Sequence, residues 1–101
     1  MDKIFKALAD RNRRKILTLL KDKEYSVTDL LVNFDIGQAT LSSHLAILKK
    51  AELVNCRVVG KQRIYRLNCE TLTIFAQNLR KFVGIIEETG IQDIAIRPSR
   101  V

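Results

Sequence analysis

Tryptophan is absent from this chain, and there are only one proline (Pro98), one histidine (His44), two cysteines and four glycines in 101 residues. Each scarcity excludes something. Two cysteines, Cys56 and Cys69, are too few for the disulfide framework of a small secreted domain. With one proline and no repeat or low-complexity stretch, no linker divides the chain before its last ten residues, so one domain is expected over 1–90, followed by a loosely held tail over 91–101. No apolar run approaches the ~20 residues that span a bilayer. The opening "MDKIFKALAD" lacks the apolar core and cleavage site of a signal peptide, which predicts a cytoplasmic protein without a membrane partner. No Cys–His pair or glycine-rich phosphate loop is present, and the carboxylates fall at caps and surface turns, so an enzyme is not expected.

Acidic residues are missing where basic ones collect. Residues 1–36 hold 8 basic and 6 acidic groups, residues 69–101 hold 4 of each, and residues 37–68 hold six basic groups against Glu52 alone. Lys49, Lys50, Arg57, Lys61, Arg63 and Arg66 thus supply +5 of the net +7 charge. Such a concentration is an electrostatic footprint for a polyanion, although by charge alone it is equally a basic surface.

What is present alternates between two periods. In "DKIFKALAD", Ile4, Phe5 and Leu8 share a helical stripe; Asp10 then reads as the N-cap of "RNRRKILTLLK", whose apolar face is Ile16, Leu17 and Leu20. Arg11, Arg13, Arg14 and Lys15 crowd the start of that helix against its dipole, so they are solvated or held by something anionic. Ser26 and Asp29 form an approximate capping box for a short third helix carrying Leu30, Leu31 and Phe34. After the turn "DIG", the segment "QATLSSHLAILKKA" makes a fourth helix, and the pair reads as a helix-turn-helix.

The period then changes to two. "LVNCRVVGKQRIYRL" reads as a hairpin with Gly60 and Lys61 as its loop, which sets Val59 opposite Gln62, Cys56 opposite Tyr65 and Val54 opposite Leu67. Val54, Cys56, Tyr65 and Leu67 fall on one face and Asn55, Arg57 and Arg66 on the other. The segment "ETLTIFAQNLRKFVGIIEETG" is a long helix with Leu72, Phe75, Leu79, Phe82 and Ile86 on a stripe. Ile74, Val83 and Ile85 lie off it, so it needs more than one neighbour. It either caps its own domain or pairs with a second copy, and the second reading is preferred.

On the fourth helix Leu41, Leu45 and Leu48 face the core, while Ser42 and Ser43 point outward and Gln38, Thr40 and His44 flank the core. Short polar side chains on a slim leading face suit entry into a DNA major groove, and the helix start suits a phosphate. The plainer reading is a set of capping residues. His44 stands apart, since a histidine beside the core is more often packed and hydrogen-bonded than a base reader.

These residues together resemble the ArsR/SmtB-type winged helix-turn-helix repressors over Ile4 to about Leu67. "LADRNRR" is similar to the family's Leu-Ala-Asp-Pro-Thr-Arg-Arg, with Arg11 and Asn12 replacing Pro and Thr. "SSHLAILKKA" is similar to its Ser-x-His-Leu-x-x-Leu-(Arg/Lys)-x-Ala, and "VVGKQRIYRL" is similar to its wing. The resemblance implies a mainly α fold with one β-hairpin in the order α-α-α-α-β-β-α. It also implies a homodimer built by the first and last helices (Ile4, Phe5, Leu8, Leu72, Phe75, Leu79, Phe82, Ile86) that represses transcription from an imperfect palindrome in double-stranded DNA. By position, Gln38, Thr40, Ser42, Ser43, His44 and Lys49 become recognition-helix contacts and Lys61, Gln62 and Arg63 wing contacts; Arg13 and Arg14 match the family's paired arginines.

Metal-sensing members often read Glu-Leu-Cys-Val-Cys-Asp-Leu where this chain has "EYSVTDL", with Ser26 and Thr28 in place of both thiolates. The last helix offers no His or Asp over residues 70–89. No metal site and no cofactor is therefore expected, as in the small autorepressors typified by SdpR. Cys69 lies four residues beyond Tyr65, the partner of Cys56, roughly 13 Å along the strand. That exceeds the ~7 Å that a disulfide allows between α-carbons. Packed, inert thiols are expected. The alternatives to a DNA-binding repressor are a winged-helix protein-interaction module and a thiol-responsive regulator.

Overall fold

The computed structural model describes residues 2–88, and the side chains of residues 2–85. Its elements are α1 (Asp2–Leu8), α2 (Arg11–Leu20), β1 (Tyr25–Ser26), α3 (Val27–Leu31), α4 (Gln38–Lys50), β2 (Val54–Val59), β3 (Gln62–Leu67) and α5 (Cys69–Glu88). Within the described residues, 2–71 form one compact unit and 72–88 belong to a second. The stretch 91–101, read as a tail, lies outside the described residues.

The helix starts are made by the expected caps. Asp10 accepts from the amides of Asn12 (2.7 Å) and Arg13 (3.1 Å), and Ser26 accepts from Asp29 (3.1 Å). Two of the cations at the start of α2, Arg13 and Arg14, have found a negative partner within the chain. Arg13 donates through Nε to the Ala7 carbonyl (2.8 Å) and through Nη2 to that of Lys6 (3.0 Å), and Arg14 donates to that of Leu8 (2.7 Å). Three terminal carbonyls of α1, the negative end of its dipole, thus offset the charge that α2 alone would oppose. Lys15 closes the end of α3 by donating to the Asn33 carbonyl and lies 4.8 Å from the Phe34 ring centroid.

The hairpin has the expected register, Val54↔Leu67, Cys56↔Tyr65 and Val59↔Gln62. Gly60 has φ 62° and Lys61 does not join it in the positive region, as a two-residue loop with glycine first requires. One strand was not legible in the sequence. Tyr25 and Ser26 form β1, which pairs antiparallel with β3 (Tyr25↔Tyr65, Ser26↔Ile64) and completes a sheet of order β1-β3-β2. Two residues are too few to show a period of two. Their effect is positional, since α3 starts directly from the edge of the wing.

Ile16, Leu20, Leu30, Leu41, Leu45, Leu48, Val54 and Tyr65 form the core with Ala7, Ala51 and Leu53. Ala7, rather than the expected Ile4–Phe5–Leu8 stripe, is the fully buried residue of α1. Its small size lets the helix backbone approach closely, leaving Ile4 and Leu8 half-buried and Phe5 48% exposed. Leu53 is held by the end of α4. Its amide donates to the Leu48 carbonyl (3.0 Å) and that of Glu52 to Lys49 (2.9 Å), with Glu52 at φ 62°. This is a Schellman stop with glutamate where glycine is usual.

In α5, Ile74, Leu79, Phe82 and Ile85 are exposed, while Leu72 and Phe75 are half-buried. The side chain of Ile86 lies outside those described. Among the described residues no helix is long and apolar enough to cross a membrane.

Candidate nucleic-acid interface

The recognition helix is held down by three leucines. Leu41, Leu45 and Leu48 are 0–1% exposed, and burying each removes about 2 kcal/mol worth of apolar surface from water. The opposite side carries Gln38, Thr40, Ser42, Ser43 and Lys49, all exposed. Unlike α2 and α3, α4 begins without a side-chain cap, because its N-cap is Gly37. Its first amides are therefore open to an outside acceptor.

The wing arrives beside this helix start. A cleft of about 260 Å³ is lined by Gln38 and Ser42 from α4, by Lys61, Gln62 and Arg63 from the wing, and by Ser26, Val27 and Thr28 from the start of α3. Five residues named from sequence on two separate elements thus line one polar, cationic concavity. Ser26, Val27 and Thr28 were not anticipated as part of it. Their position depends on β1 pairing with β3, and no local pattern marks that pairing. At the back of the wing Tyr65 is buried, and its phenol pKa is pushed up, first by burial and then by the neighbouring Cys56 thiol, while Arg63 pulls it down.

The remaining candidates separate. The Ser43 hydroxyl donates to the Ala39 carbonyl one turn back (3.1 Å), so its proton is engaged within the helix. The Nδ1 of His44 sits 3.1 Å from Arg13 Nη1 and 3.9 Å from Asp10 Oδ1, and its side chain is only 13% exposed. Burial raises the Asp10 pKa, but the amides of Arg13 and Asn12, with the neighbouring His44 ring and the Arg13 charge, outweigh it and hold the carboxyl below its ordinary range. Arg57, counted within the basic excess, pairs with Glu24 at 2.7 Å. That leaves Lys61 and Arg63 as the wing cations on the cleft.

Neither thiol is part of a disulfide. Cys56 is half-buried in the sheet, as expected, but Cys69 is exposed and not packed, because it opens α5 at a helix end. Among the described residues no three His, Cys, Asp or Glu side chains come together. Ser26, at one of the family's thiolate positions, is spent as the cap of α3.

Residues 10–55 match the family model described as bacterial regulatory protein, arsR family. The transcriptional repressor SdpR of Bacillus subtilis is 40% identical over 72 residues, which cover 71% of this chain and 80% of that protein. The chain belongs to the ArsR family. An arsenical resistance operon repressor of Staphylococcus xylosus is 43% identical over 76 residues, covering 75% of this chain and 73% of that one. Among solved structures, an ArsR-like transcriptional regulator from Rhodococcus superposes with a TM-score of 0.80 at 27% identity, covering 93% of this chain and 88% of that one. HlyU of Vibrio cholerae does so with 0.65 at 33% identity, covering 80% and 89%. This ArsR-family chain is a winged helix-turn-helix, DNA-binding transcriptional regulator and not an enzyme.

Proposed function

We propose that the chain is a cytoplasmic transcriptional repressor that binds a palindromic operator as a homodimer, with residues 1–90 as its DNA-binding and dimerisation domain and 91–101 as a tail. The observation that carries the reading is the cleft shared by Gln38, Ser42, Lys61, Gln62 and Arg63. Ser42 and Gln38 are short enough to meet base edges in the major groove, Thr40, Ser43 and Lys49 flank them, and Lys61 and Arg63 take phosphates. The uncapped start of α4 adds amides aimed at the same backbone.

Repression by occupancy needs no second ligand. The hydroxyls of Ser26 and Thr28 are poor soft-metal donors, so neither a metal nor a cofactor governs binding. The dimer is formed through Ile4, Phe5 and Leu8 of α1 and Leu72, Phe75, Leu79, Phe82 and Ile86 of α5, of which Phe5, Leu79 and Phe82 are exposed in the single chain.

Selection of bound sites from a random duplex pool, followed by fluorescence-anisotropy titration at several salt concentrations, tests the proposal. A two-fold repeated site is expected, with affinity falling steeply as salt rises. Lys61→Ala should weaken all sequences about equally and lower the salt slope by roughly 1 for each copy bound. Ser42→Ala should relax preference at one base position per half-site while dimerisation is kept. Absence of salt-sensitive binding even at micromolar protein would defeat the assignment.

A further inference from the structure

One guanidinium joins three elements beneath the recognition helix. Arg13 lies in the first turn of α2, its Nε and Nη2 donate to the last carbonyls of α1 (Ala7 and Lys6), and its Nη1 meets His44 Nδ1 in the middle of α4. Its own amide is fixed by Asp10 Oδ1, which also stands 3.9 Å from the imidazole. Three of the side chain's N–H donors are therefore engaged, two at the end of α1 and one on α4.

Arginine offers donors only, so Nδ1 of His44 must be the acceptor in this contact. The imidazole proton then sits on Nε2. A histidine held in this way is 13% exposed, and the nitrogen facing Arg13 has no capacity left for a base edge. Leu41, Leu45 and Leu48 seat α4 in the core, and a polar contact on its flank adds a restraint on its rotation. A charge-assisted hydrogen bond from one side is directional, and its position on α4 falls between Ser42 and Leu45.

We propose that His44 is a positioning residue for DNA recognition. With Arg13 it forms a strap from the end of α1 to the middle of α4 that sets the rotation of the recognition helix, and with it the aim of Gln38 and Ser42. The proposal rests on the cleft being the DNA-binding site, and it concerns what aligns that site rather than what touches DNA. It explains a histidine in a helix face of small hydroxyls without making it a base reader.

Two measurements test it. In His44→Asn the amide oxygen falls close to where Nδ1 stood and still accepts from Arg13, whereas His44→Leu keeps bulk and removes the acceptor. His44→Leu should lose about tenfold in affinity for the selected site. The Lys61-dependent salt slope and the melting transition should persist, and His44→Asn should recover most of the loss. Equal damage in both variants, loss confined to one base position, or wild-type binding by His44→Leu would each overturn the strap.

The second measurement needs no variant and no DNA. A long-range 15N–1H spectrum of the wild-type protein at pH 8 should show His44 as the Nε2–H tautomer. Finding the proton on Nδ1 would overturn the strap even if DNA binding is normal. Conversely, failure of wild-type protein to bind duplex DNA would remove the cleft reading while leaving the tautomer to decide the Arg13–His44 contact.

Discussion

Glu52 holds the left-handed conformation that ends α4, at φ 62°, and it is also the lone acid of residues 37–68. A side chain at positive φ costs roughly 1 kcal/mol or more, of which glycine's larger unfolded-state entropy takes back part. Glu52→Gly should therefore raise stability by about 0.5 kcal/mol, read from urea unfolding, and should slightly strengthen binding to duplexes of any sequence by raising the net positive charge. Asp10 gives a residue-scale prediction in pH. Its folded carboxyl holds its proton less readily than the unfolded one, so the ionised cap stabilises the fold above the ordinary carboxylate range and this contribution is lost as pH falls through the folded value. Asp10→Asn should lower the Tm at pH 7, and thermal melts of the two proteins should converge at the acid end of the titration.

Among the elements, the wing hairpin depends on its turn. Gly60 has φ 62°, and a Cβ placed there meets no atom within 4 Å, so substitution strains the backbone without a clash. Gly60→Ala should cost about 1 kcal/mol in thermal unfolding and weaken all DNA sequences together, because Lys61 is the next residue of the same loop. How far each element was legible depended on its length. The α4 leucines and the hairpin register followed from periods repeated over six or more residues, and both were found as expected. Strand β1, two residues long, carried no period and was missed. The packing of α1 on Ala7 was also missed, because alanine is a helix former anywhere and gives no sign of close approach.

At the scale of the molecule, α5 presents Ile74, Leu79, Phe82 and Ile85 to solvent in the single chain. A contiguous set of large apolar side chains is retained at such cost where a partner removes it from water. Phe82→Glu should shift the protein from dimer to monomer in sedimentation equilibrium, and should lower operator affinity far more than affinity for a single half-site. Unchanged sedimentation would exclude α5 as the dimer surface.

The sequence alone determined the helix starts, the turn at Gly60, the strand register, the basic middle third and the family resemblance, because each is written in neighbouring residues or in a fixed period. Tertiary structure decided which of the candidate residues act together. It brought Ser26, Val27 and Thr28 to the cleft through β1, paired Arg57 with Glu24, and gave Arg13 and Arg14 the carbonyls of α1 as partners. It also tied His44 to Arg13, 31 positions away. Contacts of that separation depend on how helices dock, and docking is set by the shape of a whole buried surface rather than by any one stretch of chain.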